Sequence, residues 1–136
     1  MNKIDQKSIS LINFFEIKTR ASVKSFFEFN NVLVFIVKEG HGSKAVGKNG
    51  ANVKKLSLLL KKKIKVIEFS SQPVKFIKGF IYPVVAVDIT LDGKIVSIKA
   101  GSTREKGMLI GRESKNLNKL KEVVKRYYDI EDVKIV

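Results

Sequence analysis

Two short segments of this chain hold residues whose types and spacing can do chemistry. The first is Gly47-Lys48-Asn49-Gly50, preceded by Lys44 and Val46 and followed by Val53, Lys54 and Lys55. The second is Gly111-Arg112-Glu113-Ser114, preceded by Ile110 and followed by Lys115. Where no Cβ stands in the way, a backbone can come close to a ligand, and cations beside such a loop suit a phosphate. By itself a G-x-x-G is ordinary turn chemistry, so its meaning depends on what stands on either side.

Other chemistries have less to work with. The chain has no cysteine, which removes disulfides, thiolate zinc sites and Cys nucleophiles. Its one histidine, His41, leaves no paired imidazole ligands and little acid/base catalysis. Carboxylates such as Asp88 and Asp92 belong to no constellation, and Gly47-Lys48 lacks the G-x-x-x-x-G-K-[ST] frame of a nucleotide-binding loop. No catalytic residue, metal or cofactor is expected, and an enzyme is the weakest class of function. The longest apolar runs, Val32 to Val37 and Phe80 to Val87, fall well short of the roughly 18 to 20 residues that cross a bilayer. The N-terminus lacks a cleavage signal and reads as part of the mature fold. A cytoplasmic monomer with no membrane contact is expected.

Charge indicates the partner. The 136 residues include 27 Lys and Arg against 13 Asp and Glu, a formal net charge of +14 that favours a polyanion. With 44% hydrophobic residues and nine Phe, the chain has the apolar area to fold, unlike a disordered basic tail. Its length fits one domain or two modules of about 65 residues.

The elements around the loops show which. A capped helix from about Asp5 to Lys18 places Leu11 and Phe15 on one stripe, with Ile4 behind. Ala21 to Phe29 alternates as a strand, with Val23, Phe27 and Phe29 on one side; Asn30-Asn31 is a turn, and Val32 to Val37 returns. Gly42 to Val46 forms a short helix. After the first glycine loop a longer helix carries Val53, Leu56, Leu59 and Leu60, and Lys63 to Phe69 forms a strand. Past a break at Ser70-Ser71-Gln72-Pro73 the order starts again. A helix runs from Pro73 to about Ile81, and a strand from Pro83 to Leu91 with Val85, Val87, Ile89 and Leu91 on one face. Then come an Asp92-Gly93 turn, a return strand from Lys94 to Ala100, and a capping box at Ser102-Thr103-Arg104-Glu105. Beyond the second loop, Leu117, Leu120, Val124 and Tyr127 mark a helix, and Asp132 to Val136 a last strand.

The order α-β-β-α-α-β therefore occurs twice. The turns at Asn30 and Asp92 are 62 residues apart, the glycines Gly47 and Gly111 are 64 apart, and Val53/Leu56 lie 64 from Leu117/Leu120. Offsets that agree to within two residues at separate landmarks make this an internal repeat. The expected fold is α+β in two modules, residues 1–70 and 71–136, packed on each other.

The run from Ala45 to Leu56, with its hairpin upstream and amphipathic helix downstream, resembles the KH domain, whose G-x-x-G loop clamps about four nucleotides by their backbone. The element order is similar to the prokaryotic, type II form. Two such modules in tandem, closing on Tyr127 to Val133, resemble the short archaeal NusA-like transcription factors. The resemblance covers nearly the whole chain. It implies single-stranded RNA as partner and a role in transcription elongation and termination. It assigns RNA binding to Lys44, Val46, Gly47, Lys48, Asn49, Gly50, Val53, Lys54 and Lys55, and in the second module to Ile110, Gly111, Arg112, Ser114 and Lys115. There the pattern departs from the family, because Glu113 puts a carboxylate near the phosphate path and Ser114 a Cβ at the fourth position. That loop is an RNA contact or a plain turn, and Val46 and Val53 are groove floor or core.

Two other readings use the same residues: a ribosome-associated or rRNA-assembly KH protein, and a scaffold that docks RNA polymerase through the second module. Lys61-Lys62-Lys63 reads as a solvated helix end, and the hairpin phenylalanines Phe26, Phe27, Phe29 and Phe35 read as core. Up to Ser70 there are 14 basic and 5 acidic residues, and after it 13 and 8. The first module is thus expected to be the stronger RNA binder.

Overall fold

The computed structural model describes residues 5–136, so Ile4 lies outside the described residues. The chain divides into two compact units, Met1–Ser71 and Gln72–Val136. The first contains α1 (Gln6–Thr19), β1 (Val23–Phe29), β2 (Val32–Val37), α2 (Gly42–Val46), α3 (Ala51–Leu60) and β3 (Lys63–Glu68). The second contains α4 (Pro73–Ile81), β4 (Asp88–Asp92), β5 (Ile95–Lys99), α5 (Thr103–Ile110), α6 (Lys115–Tyr127) and β6 (Asp132–Ile135). In each unit the hairpin strands pair antiparallel, and the last strand pairs parallel to the middle one, giving the orders β1-β2-β3 and β4-β5-β6. A parallel neighbour needs a long crossover. The two helices that supply it, α2-α3 or α5-α6, carry the glycine loop at their junction.

Local chemistry sets the boundaries. Asp5 caps α1 by accepting from the Ser8 amide at 2.7 Å, a bond that holds its carboxyl below the usual range. Ser102 accepts from the Glu105 amide at 3.1 Å, and the Glu105 carboxylate turns back to the same hydroxyl at 3.5 Å. Pro73 opens α4. Asn30 and Asn31, at φ 52° and 60°, make the first hairpin corner, because Asn tolerates positive φ. No helix among the described residues is long and apolar enough to cross a membrane.

The first unit's core is a stack of aromatic rings. Phe35 is fully buried, with Phe15 parallel to it at 4.0 Å between centroids and Phe26 tilted at 4.9 Å. Leu33, Val37, Ala45, Leu56 and Ile64 close around them, with Val23, Val53 and Leu60 at the margin. In the second unit Phe76 is packed by Tyr127 at 6.0 Å and Tyr128 at 5.7 Å.

Four expectations change. The register shifts between Val23 and Ser25, an irregularity that advances the alternation by one, so Val23 and Phe26, rather than Phe27 and Phe29, join this core. Asp92 pairs with Ile95, which moves the second corner to Gly93-Lys94, where Gly93 alone takes positive φ, at 60°. The strand expected from Pro83 begins only at Asp88. Pro83 has no N–H to give a ladder, and the Val84 amide turns back to the Ile81 carbonyl at 3.0 Å, so Val85 and Val87 stay exposed. Leu59 is also exposed, because the buried stripe of α3 follows Val53, Leu56 and Leu60 and leaves it at the edge.

Replacing Phe35 by Ala removes the middle ring of the stack and is expected to lower stability by about 3–5 kcal/mol. Urea unfolding followed by circular dichroism measures this, and a loss under about 1 kcal/mol would contradict the stack's role as the centre of the core.

Candidate nucleic-acid interface

The first loop turns the chain from α2 into α3 through one 3-10 turn. Gly47 has φ 81° and ψ 167°, Asn49 has φ 55° and ψ 29°, and Gly50 has φ 74° and ψ 18°. The Gly47 conformation is open only to glycine, and a Cβ there would lie 2.9 Å from the Asn52 backbone nitrogen and side chain. Gly50 differs. A Cβ on it would meet only Lys54 Cε, at 3.9 Å, so its missing side chain leaves open surface.

The loop's donors divide between the fold and solvent. The Gly47 amide donates to Ser43 O at 2.9 Å and the Gly50 amide to Gly47 O at 3.1 Å. Among the described residues no backbone oxygen accepts from the amides of Lys48 and Asn49. Nor does any side chain cap the N-terminus of α3, whose first turn holds no acid. Free amides at the positive end of a ten-residue helix suit an anion.

The second loop has nearly the same backbone in different residues. Gly111 has φ 76° and ψ 171°, Glu113 φ 55° and ψ 30°, and Ser114 φ 60° and ψ 21°. Ser114 takes the left-handed conformation that glycine takes in the first loop. The amides of Arg112 and Glu113 likewise lack a backbone acceptor among the described residues.

Two residues that sequence reasoning missed hold these loops. Asn52 Nδ2 donates to Lys44 O at 2.9 Å, and Asn116 Nδ2 donates to Met108 O at 2.9 Å. The 64-residue offset that joins Gly47 to Gly111 also joins Asn52 to Asn116, so the repeat itself carried the signal. Glu68 is a third such residue, accepting from the Gly42 amide at 3.0 Å and the Gly40 amide at 3.2 Å at the start of α2.

Lys44, Lys48, Lys54 and Lys55 are exposed around the first loop, and Arg112 and Lys115 around the second. None takes part in an ion pair of the described residues. Lys62 does, with Glu28, which gives that lysine a structural role. The second unit pairs more of its cations: Lys94 with Asp129 at 3.2 Å, Lys119 with Glu122 at 2.7 Å and Lys121 with Asp132 at 2.9 Å. The Lys121 bond, then that of the Val133 amide, holds the Asp132 carboxyl below the usual range. Val53 packs against the core, whereas Val46 and Ile110 are half-buried beside the loops. Phe26 and Phe35 face the core.

No protein-family model matches the chain. It is 30% identical to the probable transcription termination protein NusA of Methanococcus vannielii, over 98% of this chain and 79% of that one. The chain belongs to the archaeal NusA family. Probable transcription termination proteins NusA from two further archaea agree. That of Methanocaldococcus jannaschii is 28% identical over 98% of this chain and 75% of that one. That of Thermoplasma acidophilum is 27% identical over 99% and 97%. The crystal structure of APE1850 is similar at a TM-score of 0.68 and 28% identity, covering 98% of this chain and 100% of that one.

In this NusA-family chain His41 acts through its acceptor nitrogen, since Nδ1 accepts from the Ser22 amide at 2.9 Å. Partial burial, then the Lys44 and Lys38 cations, hold its pKa below the ordinary value, while Glu68 pulls the other way. The bond needs a neutral ring. Its contribution is therefore full above the unfolded pKa of about 6.5 and is lost as pH falls toward the lower folded value. Because the chain has one histidine, its NMR titration is unambiguous. A midpoint below about 6.5 is expected, and one at or above that value would contradict the acceptor role.

Proposed function

We propose that the chain is a single-stranded RNA-binding transcription termination factor, built of two type II KH domains divided at residues 70 and 71. The first glycine loop carries this reading. It combines two unclaimed amides, an uncapped helix N-terminus, open surface at Gly50 and four unpaired lysines, in a chain whose relatives are named transcription termination proteins. The amides of Lys48 and Asn49 receive a phosphate oxygen, and Gly47 and Gly50 let the sugar-phosphate chain lie against the loop. Lys44, Lys48, Lys54 and Lys55 supply the charge, and Val46 and Val53 border the groove that receives the bases. RNA polymerase is the protein partner that a termination role implies.

The second loop makes the weaker contact. Arg112 and Lys115 attract phosphate and Ile110, Gly111 and Ser114 line its path, but the Glu113 carboxylate opposes it.

Two measurements test the reading. The double variant Lys48→Asp/Asn49→Asp places two carboxylates where a phosphate is to sit, so it should abolish binding of labelled single-stranded RNA while circular dichroism stays unchanged. Equal affinities for variant and wild type would remove the clamp assignment. Neutralising about three to six phosphates should give log K against log salt a slope of roughly −2 to −4. A flat line would instead favour a protein-docking role with a merely solubilising basic surface.

A further inference from the structure

Both glycine loops solve one backbone problem with the same side chain. A helix leaves its last carbonyls without partners, and the amide four residues on would take each of them if the helix continued. After α2 the amide due to Lys44 O is that of Lys48, and after α5 the amide due to Met108 O is that of Arg112. Neither makes that bond. Asn52 Nδ2 occupies Lys44 O at 2.9 Å and Asn116 Nδ2 occupies Met108 O at 2.9 Å, each reaching back eight residues from the first turn of the following helix. The same asparagine fills the space over the first glycine. A Cβ at Gly47 would come within 2.9 Å of Asn52 Cγ, and one at Gly111 within 2.6 Å of Asn116 Cγ.

We propose that Asn52 and Asn116 are positioning residues that hold the two loops open for an anion. By satisfying the helix-end carbonyl and packing over the first glycine, each side-chain amide stabilises the turn in which a backbone amide, that of Lys48 or Arg112, is left to donate to a ligand. The two units reach this arrangement with different residues at three of the four loop positions, so what they share is the first glycine and the asparagine that packs over it. The ligand class, a phosphate of the RNA backbone, rests on the function proposed above. The exchange of hydrogen-bond partners within the loop does not.

The experiment uses the full chain, labelled with nitrogen-15, as wild type and as Asn52→Ala. Without RNA, loss of the asparagine leaves Lys44 O to the Lys48 amide, whose hydrogen exchange should slow by about fivefold or more. With a fluorescein-labelled single-stranded RNA, affinity should fall by about tenfold, the worth of one well-made hydrogen bond. The slope of log K against log salt should stay unchanged, because no cation has been lost, whereas removing a phosphate-binding lysine lowers it by about one. Unchanged Lys48 exchange would overturn the proposal whatever the RNA does. Slowed exchange with affinity within about twofold of wild type would overturn the link to binding. If the wild type binds no RNA, the function proposed above fails and the exchange result still decides the brace. Asn116→Ala, read at the Arg112 amide, repeats the free-protein measurement in the other unit should Asn52→Ala not fold.

Discussion

The chain must end one helix and begin another within a few residues without using up the backbone donors between them, and the site follows from that constraint. A single conformation at Gly47, φ 81° with ψ 167°, makes the change of direction. It lies where a Cβ is not tolerated, and the space over it is filled by Asn52. Three consequences arrive together: a helix-end carbonyl satisfied by a side chain, two amides left without a backbone acceptor, and an uncapped N-terminus on α3. The rest of the unit presents this junction. The parallel pairing of β2 with β3 demands a crossover, the crossover is the α2-α3 pair, and the stacked rings of Phe15, Phe35 and Phe26 anchor the sheet beneath it.

Much of this was legible in the sequence because it rests on periods and on residues with restricted backbones. The repeat, the caps at Asp5 and Ser102, the corner at Asn30-Asn31 and the helix start at Pro73 each have a local cause that acts wherever the residue stands. What was misread depended on neighbours. The shift between Val23 and Ser25 moves Phe26 into the core, and nothing in the run Val23 to Phe29 announces it, since both phases of the alternation contain Phe. The register of β4 against β5 moves the second corner by one residue. At the site, glycines and lysines stand out by type, whereas Asn52, Asn116 and Glu68 act through contacts to backbone eight or more residues away and look like ordinary polar surface.

The two loops separate what the fold requires from what it permits. The first glycine of each loop sits in a region closed to other residues, and the chain has glycine at both positions, Gly47 and Gly111. The fourth position needs only the left-handed helical region, which costs an L residue about 1–2 kcal/mol and which Ser114 adopts at φ 60°. A Cβ at Gly50 would meet nothing closer than 3.9 Å, so packing does not demand glycine there either. Gly50 relieves a modest backbone cost and leaves bare surface, and the bare surface is the part that a ligand would notice.

Charge follows the same division. Three of the eight acidic residues after Ser70 are engaged with lysines of the second unit, Asp129 with Lys94, Glu122 with Lys119 and Asp132 with Lys121, all on side chains that keep contact with solvent, where such pairs contribute little to stability. Their larger effect is on the field, because each pair removes a cation from the basic surface. The first unit has 14 basic residues against 5 acidic ones up to Ser70, and Lys44, Lys48, Lys54 and Lys55, around the loop with the open fourth position, take part in no ion pair among the described residues. In the second unit a carboxylate, Glu113, stands at the loop itself, at the φ and ψ where the first unit has Asn49. Shape is therefore common to the two loops and charge is not. If both engage a polyanion they do so with unequal strength, set by side chains and not by backbone.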